Sequence, residues 1–429
     1  MTTVTEILFG GVLILTLCRS EAFWFKLKQE ESPMKVLQNN FPAMPTFNFS
    51  RLDENSDYLL STPGEIKKYG FNVEIHHVVT EDSYILELHR IPTGKNNSSS
   101  WRKSSVLVMH GYSCTSLNWI MNHEDKVLPY KLAEEGYDVW LGNFRGNKYS
   151  NRHLSLDNND TRFWNFSWHE MGIYDVPAMV DYILKTTEEP DLFYVAHSMG
   201  NTAFLVCMSL RTEYNDKIKA LFALAPVAFF NHIRNTTKLI TPFVVTDRLA
   251  LDALGHGELV PGHVLDSLRI FGSILCSPAS TTSGLCDQFL RHITGFNTDT
   301  LNKTWVPALF RNYPDSSSAR TLLHFLQLVK SGRFCQYDYG VLENFRVYSR
   351  LKPPSYNLTR VTAPVAIYWS TEDWLASPKD VQALVQNLPN VFINQRVESP
   401  GFTHLDFLAS TDSDVLLYNK VIQAMDKLI

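Results

Sequence analysis

Charge is scarce in this sequence. Of its 429 residues 19% are Asp, Glu, Lys or Arg, and 44 acidic against 39 basic side chains give a formal charge of −5. No run of Lys and Arg stands out locally, so a phosphate backbone meets no cationic surface, and nucleic acid is excluded as a partner. Cysteine is also sparse, with 6 in the chain. No Cys/His spacing matches a zinc site and no H-E-x-x-H occurs, so no metal is expected. Beyond the N-terminus no apolar run approaches the roughly 20 residues that span a bilayer, so no transmembrane anchor is expected. Internal repeats and low-complexity tracts are absent too. What is present is apolar: 45% hydrophobic and 12% aromatic residues. That is ample for a large core, which excludes disordered, collagen-like and mini-protein classes, and it suits a protein handling apolar ligands.

Residues 7–17 form an uncharged apolar run, too short to span a membrane but sufficient for the core of a signal peptide. Ser20-Glu21-Ala22 supplies small residues at the −3 and −1 positions, so residues 1–22 read as a signal peptide cleaved after Ala22. Residues 1–6 depart from the pattern in lacking Lys or Arg. N-x-S/T sequons at Asn48, Asn96, Asn97, Asn159, Asn165, Asn235, Asn302 and Asn357 suit a glycoprotein on the same route. Loss of Cys18 with the signal would leave five cysteines, so at least one stays unpaired. Cys276 and Cys286 enclose a short loop with Ser-Pro and Ser-Gly, which makes them the easiest disulfide to close. Cys207, in an apolar helical run, reads as a packed thiol.

Residues 73–80 and 84–91 alternate as a hairpin around Glu81-Asp82-Ser83. Short apolar strands follow at 105–109, 138–141, 192–196, 219–227, 365–369 and 392–397, with helical spacing at 176–184, 201–210 and 415–428. Buried strands alternating with helices indicate an α/β fold with a mainly parallel central sheet covered on both faces. The alternation stops over residues 229–357, which mix Pro, Gly and Ser loops with helices such as 321–329. That stretch reads as a largely helical cap between core segments 23–228 and 358–429.

The strongest chemical signal is Ala196-His197-Ser198-Met199-Gly200 between a strand and a helix. A nucleophile elbow needs tiny residues two before and two after its serine, because strand and helix backbones approach closely there. A serine hydroxyl needs a base to take its proton and a carboxylate to orient that base, in chain order Ser, acid, His. Asp373, just past strand 365–369, and His404, after the last strand, occupy those positions. Glu372, Asp380 and Asp406 are rival acids. Asp380 fits the first turn of a helix opened by Ser377-Pro378. Asp406, two residues from His404, fits as a loop-orienting acid, and His197 as a residue shaping the elbow. An oxyanion hole would take the amide of Met199 and, from the loop after strand 105–109 (His110-Gly111-Tyr112), the amide of Tyr112. None of this chemistry needs a cofactor.

At these residues the chain resembles the acid lipase family, which includes gastric, lingual and lysosomal acid lipases and many insect midgut lipases. The likeness runs from Thr80-Glu81-Asp82-Ser83-Tyr84 to the C-terminus. It takes in His110-Gly111, Asn118-Trp119, Gly142-Asn143-Phe144-Arg145-Gly146-Asn147, Phe163-Trp164 and Phe166-Ser167-Trp168-His169-Glu170-Met171. Tyr174-Asp175, Ala223-Leu224-Ala225-Pro226-Val227-Ala228, Val329-Lys330-Ser331-Gly332, Tyr337-Asp338-Tyr339-Gly340 and His404-Leu405-Asp406-Phe407 continue it. The resemblance implies an α/β-hydrolase core and hydrolysis of lipid esters: triacylglycerols, cholesteryl esters in some members, often at acidic pH. It implies a movable lid in the cap, about residues 261–296, with Cys276–Cys286 as the family disulfide. Ser198, Asp373 and His404 carry over as the catalytic triad, Tyr112 and Met199 as oxyanion donors. Two departures from the usual Gly-His-Ser-Gln-Gly are Ala196 and Met199; Ser83 replaces a turn glycine. The resulting expectation is a monomeric serine lipase, secreted or lysosomal, acting on neutral lipid at an oil–water or membrane interface. A carboxylesterase for small soluble esters and a non-catalytic lipid-binding protein are the alternatives.

Overall fold

Strands rich in Val, Leu, Phe and Ile with no polar alternation can be stable only when both their faces are covered. The computed structural model describes residues 60–95, 103–234, 257–259, 308–309 and 312–429, with Leu265, Arg269, Gly272, Cys276 and Gly284. Nine strands of these residues form one sheet. β1 (Glu74–Val79) and β2 (Tyr84–Ile91) make the expected hairpin. β3 (Ser105–Met109), β4 (Asp138–Leu141), β6 (Leu192–His197), β7 (Ile218–Leu224), β8 (Val365–Trp369) and β9 (Val391–Arg396) run parallel. The spatial order is β1-β2-β4-β3-β6-β7-β8-β9, with the two-residue β5 (Arg152–His153) pairing β2. β3, β4 and β6 are buried at every position. The two edges carry polar residues instead, Glu74, His76 and His77 on β1 and Asn394 and Arg396 on β9, which discourages edge-to-edge pairing.

The α-helices of seven or more residues among the described residues are α1 (Thr62–Lys68), α2 (Leu128–Glu134), α3 (Val176–Thr187), α4 (Met199–Leu210), then, beyond β7, α5 (Ala319–Ser331) and α6 (Val341–Tyr348). α7 (Pro378–Asn387) and α8 (Asn419–Asp426) complete the series. α4 is buried over eleven of its twelve residues, from Met199 to Ser209, as befits a helix packed beneath other elements. The expected strand 219–227 ends sooner, at Leu224, because Ala225 turns to φ 45° while its amide donates to the Tyr368 carbonyl at 2.9 Å. The helix expected from residue 201 begins two residues earlier, at Met199. The C-terminal helix is preceded by a π-helical turn, Asp414–Tyr418.

Strand order reverses direction at β3: the chain steps from β3 outward to β4, then returns to place β6 on the other side. Loops leaving β3 and β6 therefore diverge and leave a crevice at the carboxyl ends of the strands, where open α/β sheets bind ligands. The register pairs Met109 with Ala196, which sets His110-Gly111 beside His197-Ser198. One buried cation braces the neighbouring loop. Arg145 donates from Nε to Asp175 Oδ1 (2.7 Å) and from its terminal nitrogens to both oxygens of Asp82 in the β1–β2 turn. Against the cost of burial, those bonds hold Asp82 below the usual carboxylate range.

Candidate active site

The elbow after β6 is strained. Ser198 sits at φ 53°, ψ −119°, a conformation that costs a non-glycine residue roughly 1–3 kcal/mol and persists only where neighbours impose it. Here its amide donates to the Leu224 carbonyl (3.1 Å) and its carbonyl accepts from the Asn201 amide (3.0 Å). The Asn201 side-chain nitrogen also lies 3.2 Å from the Ala196 carbonyl, 3.3 Å from that of Ser198 and 3.1 Å from that of Leu224. One buried amide thus ties the ends of β6 and β7 to the elbow. Gly200 is obligatory for space: a Cβ there would sit 2.9 Å from the Met109 carbonyl, 3.0 Å from that of His110 and 3.1 Å from the Ala196 Cβ. The Ala196 side chain itself fits, fully buried, where glycine is usual.

His404 and Asp373 converge on that serine from loops after β9 and β8. Asp373 is fully buried, and its Oδ1 accepts the amides of Leu375 and Ala376, both at 2.8 Å. Oδ2 is left facing His404 Nδ1 at 2.7 Å, and His404 Nε2 lies 2.8 Å from Ser198 Oγ. A carboxylate on one side assigns the ring proton to Nδ1, so Nε2 accepts from the serine hydroxyl. Ser198 is half-buried and reachable, whereas His404 is only 3% exposed. The three residues singled out in the sequence are therefore one hydrogen-bonded line, although 206 positions separate Ser198 from His404.

The rival acids have other partners. Glu372 is exposed. Asp380, in the first turn of α7, accepts from the His232 amide (2.8 Å) and pairs with its Nδ1 (2.7 Å). Asp406 accepts the amide and hydroxyl of Thr403 at 2.7 and 2.6 Å and so fixes the loop bearing His404.

The two amides expected to hold an oxyanion flank Ser198. That of Met199 opens α4, and neither it nor that of Tyr112 donates to an acceptor among the described residues. Buried His110 orients the Tyr112 amide. Its Nε2 accepts from the Phe144 amide at 3.1 Å, so the proton is on Nδ1, which donates to the Gly111 carbonyl at 2.8 Å. Because a trans peptide points C=O and N–H in opposite directions, holding Gly111 O from one side aims Tyr112 N–H to the other. Burial pushes His110 down to about 4, which keeps it neutral. One residue on, the Ser113 carbonyl accepts from the Asp315 amide at 2.7 Å. Gly111 is also tightly enclosed, since a Cβ there would lie 3.2 Å from that of Ser198. The Tyr112 ring meets Phe325 of α5 edge-on at 5.9 Å, and Phe325 meets Phe230 at 5.3 Å. Tyr112, Phe325 and Phe230 thus form a continuous aromatic chain from the loop after β3 to α5.

The structural roles of Asn201 and His110 were not evident from the sequence. The only signals were a polar residue early in an apolar helix and a His-Gly pair ending a strand. Among the described residues no group of His, Cys, Asp or Glu could hold a metal ion. Cys276 is disulfide-bonded, and its expected partner Cys286 lies outside the described residues. Cys114, Cys207 and Cys335 are free and buried, with thiols pushed up by burial. Asn159, Asn165 and Asn357 are exposed. Asn48, Asn96, Asn97, Asn235 and Asn302 lie outside the described residues, as do residues 1–22 and most of the expected lid, 261–296.

Comparison with known proteins gives this geometry its family. The family model for the alpha/beta hydrolase fold matches residues 105–410, and that for a partial alpha/beta-hydrolase lipase region matches 62–123. Lipase 1 of Drosophila melanogaster is 37% identical over 386 residues, covering 89% of this chain and 83% of its own. Human gastric triacylglycerol lipase is 35% identical over 365 residues, covering 84% and 90%. A solved structure, a putative lipase from Sulfolobus solfataricus, superposes with a TM-score of 0.57 over 84% of this chain and 95% of that one, at 15% identity. That last likeness speaks to the fold alone. The chain belongs to the acid lipase family of α/β-hydrolases and is an ester hydrolase of the lipase type.

Proposed function

We propose that the chain hydrolyses carboxylic ester bonds of neutral lipids, triacylglycerols foremost, through an acyl-enzyme on Ser198. The observation that carries this is the line Asp373 Oδ2, His404 Nδ1 and Nε2, Ser198 Oγ, with contacts of 2.7 and 2.8 Å. As Ser198 Oγ attacks the ester carbonyl, its proton passes to His404 Nε2, and buried Asp373 stabilises the imidazolium. The tetrahedral oxyanion lies on the Tyr112 and Met199 amides, at the positive end of α4. Collapse breaks the ester C–O bond, and the departing alcohol takes the proton from His404. Water, deprotonated by His404, then attacks the acyl carbonyl; the bond to Ser198 Oγ breaks, Oγ takes the proton back from His404, and the fatty acid leaves. The acyl chain lies along Phe325 and Phe230, beside the Tyr112 ring.

Residues 229–357 are read as the cap over this site and 261–296 as its lid. The apolar N-terminal run and the exposed sequons Asn159, Asn165 and Asn357 support passage through the secretory pathway, to the extracellular space or the lysosome. No helix among the described residues is long and apolar enough to cross a membrane. The test is a panel of emulsified triolein, a cholesteryl ester and a dissolved short-chain ester, each measured across pH. Preferential turnover of emulsified triolein is expected. Equal turnover of dissolved esters with indifference to the oil–water interface would assign a soluble carboxylesterase instead.

A further inference from the structure

Helix α6 is inside out. An ordinary surface helix buries an apolar stripe and wets its polar face. Of the residues in α6 only Asn344 is buried, while Val341, Leu342, Phe345 and Val347 are 60, 81, 60 and 51% exposed, with Leu351 just beyond at 61%. Polar contacts hold the element in this orientation. Asn344 Oδ1 accepts from the Tyr339 amide (2.9 Å), and Nδ2 donates to Asp338 Oδ1 (2.7 Å) and the Leu351 carbonyl (3.2 Å). Tyr348 donates its hydroxyl proton to the Tyr337 carbonyl at 2.8 Å. The apolar side chains are thus presented on an anchored scaffold.

Charge on this segment runs against that of the whole chain. Arg346, Arg350 and Lys352 are exposed around the apolar residues, and the one carboxylate among residues 341–352, Glu343, pairs with Arg346 at 3.0 Å. An apolar centre with a cationic fringe is the pattern of an element that lies in a lipid–water interface. A second copy of the same face would bring like charges together in a two-fold contact. The segment is also clamped to α5. Gln327 of α5 exchanges hydrogen bonds of 2.9 and 2.7 Å with the Asp338 backbone, and Phe325 of the same helix meets the Tyr112 ring.

We infer that Leu342, Phe345, Val347 and Leu351, with Arg346, Arg350 and Lys352, dock the enzyme on an anionic lipid–water interface. The inference rests on the lipase reading and names the surface that reading leaves open. Fatty-acid carboxylates released by the proposed reaction would supply negative charge at such an interface.

Two full-length variants test it: Leu342→Ser/Phe345→Ser/Leu351→Ser, and Arg346→Gln/Arg350→Gln/Lys352→Gln. Each is compared with wild type in co-sedimentation with vesicles of phosphatidylcholine, with and without phosphatidylglycerol, in turnover of emulsified triolein and of a dissolved short-chain ester, and in thermal melting. The apolar variant is expected to keep its melting temperature and dissolved-ester turnover but to lose roughly tenfold or more of vesicle binding and emulsion turnover. The cationic variant is expected to lose the preference for phosphatidylglycerol. Undiminished vesicle binding and emulsion turnover in the apolar variant overturns the inference. So does a wild-type dimer that this variant converts to monomer in sedimentation equilibrium. If wild type cleaves no ester at all, the lipase reading fails, and the vesicle arm still decides the surface.

Discussion

The ring of His197 holds the backbone of His404: its Nε2 donates to the His404 carbonyl at 2.9 Å. The residue before the candidate nucleophile therefore positions the loop that carries the candidate base. Burial, and then the neighbouring His404, push His197 well below its ordinary value, so it is neutral with its proton on Nε2. His197→Ala should lower kcat on a dissolved ester by about tenfold or more, leave KM largely unchanged, and slow but not prevent labelling of Ser198 by a fluorophosphonate. His197→Gln, which restores a donor, should recover part of the loss. An equal fall in folding stability with kcat unchanged would assign His197 a purely structural role.

The carboxylates around residue 373 are expected to separate sharply. Asp373→Asn should cost roughly 10³–10⁴-fold in kcat by removing the acceptor that fixes the His404 tautomer. Glu372→Gln should leave kcat unchanged, since Glu372 is exposed. Steady-state turnover of a soluble ester checks both, and similar losses in the two variants would contradict the assignment.

Much of this was legible in the sequence because the elbow is governed by a local steric rule. Ala196 and Gly200 flank Ser198 at fixed offsets, and chain order then selects Asp373 and His404. Core strands were legible for a similar reason: residues 106–109 of β3, residues 139–141 of β4 and all of β8 are continuous apolar runs. The supports were not, because they join distant parts of the chain. His197 reaches across 207 positions to His404, Arg145 across 63 to Asp82, and the role of Asn201 depends on β7 ending beside β6. The expected strand 219–227 overruns β7 because Ala225 has no local signal for a positive φ. The reversed polarity of α6 was hidden for the opposite reason. Its apolar spacing is that of a buried helix, and only the surroundings make Leu342 and Phe345 outward-facing.

The elbow's space requirement predicts opposite outcomes two residues either side of Ser198. Gly200→Ala should destabilise the fold by about 1–3 kcal/mol, because the new Cβ meets backbone carbonyls that cannot yield. Ala196→Gly should keep kcat within about threefold, since it restores the residue usual in the family and opens no strain. Urea unfolding midpoints and ester turnover measure both, and a stable, fully active Gly200→Ala would refute the steric argument.

Acid should weaken the fold through its buried neutral histidines. His110 is pushed from 6.5 down to about 4, and His197 and His324 well below 6.5, in each case chiefly by burial. Between pH 6.5 and 4 the unfolded chain binds more protons at these sites than the folded one, so stability falls as pH falls. His110 alone accounts for about 3 kcal/mol across that window. His110→Gln should therefore be less stable than wild type at pH 7, with the gap narrowing towards pH 4. A gap that widens on acidification would reverse the sign of the argument.

The central claim is that Ser198 is the nucleophile, and the most direct measurement pairs intact-mass labelling with turnover. A fluorophosphonate should add one adduct per chain, recovered on the peptide containing Ser198, and abolish ester hydrolysis in step with labelling. Ser198→Ala should take no adduct and retain at most a trace of activity. Full ester hydrolysis by Ser198→Ala, or an adduct on another residue that tracks the loss of activity, would contradict the account.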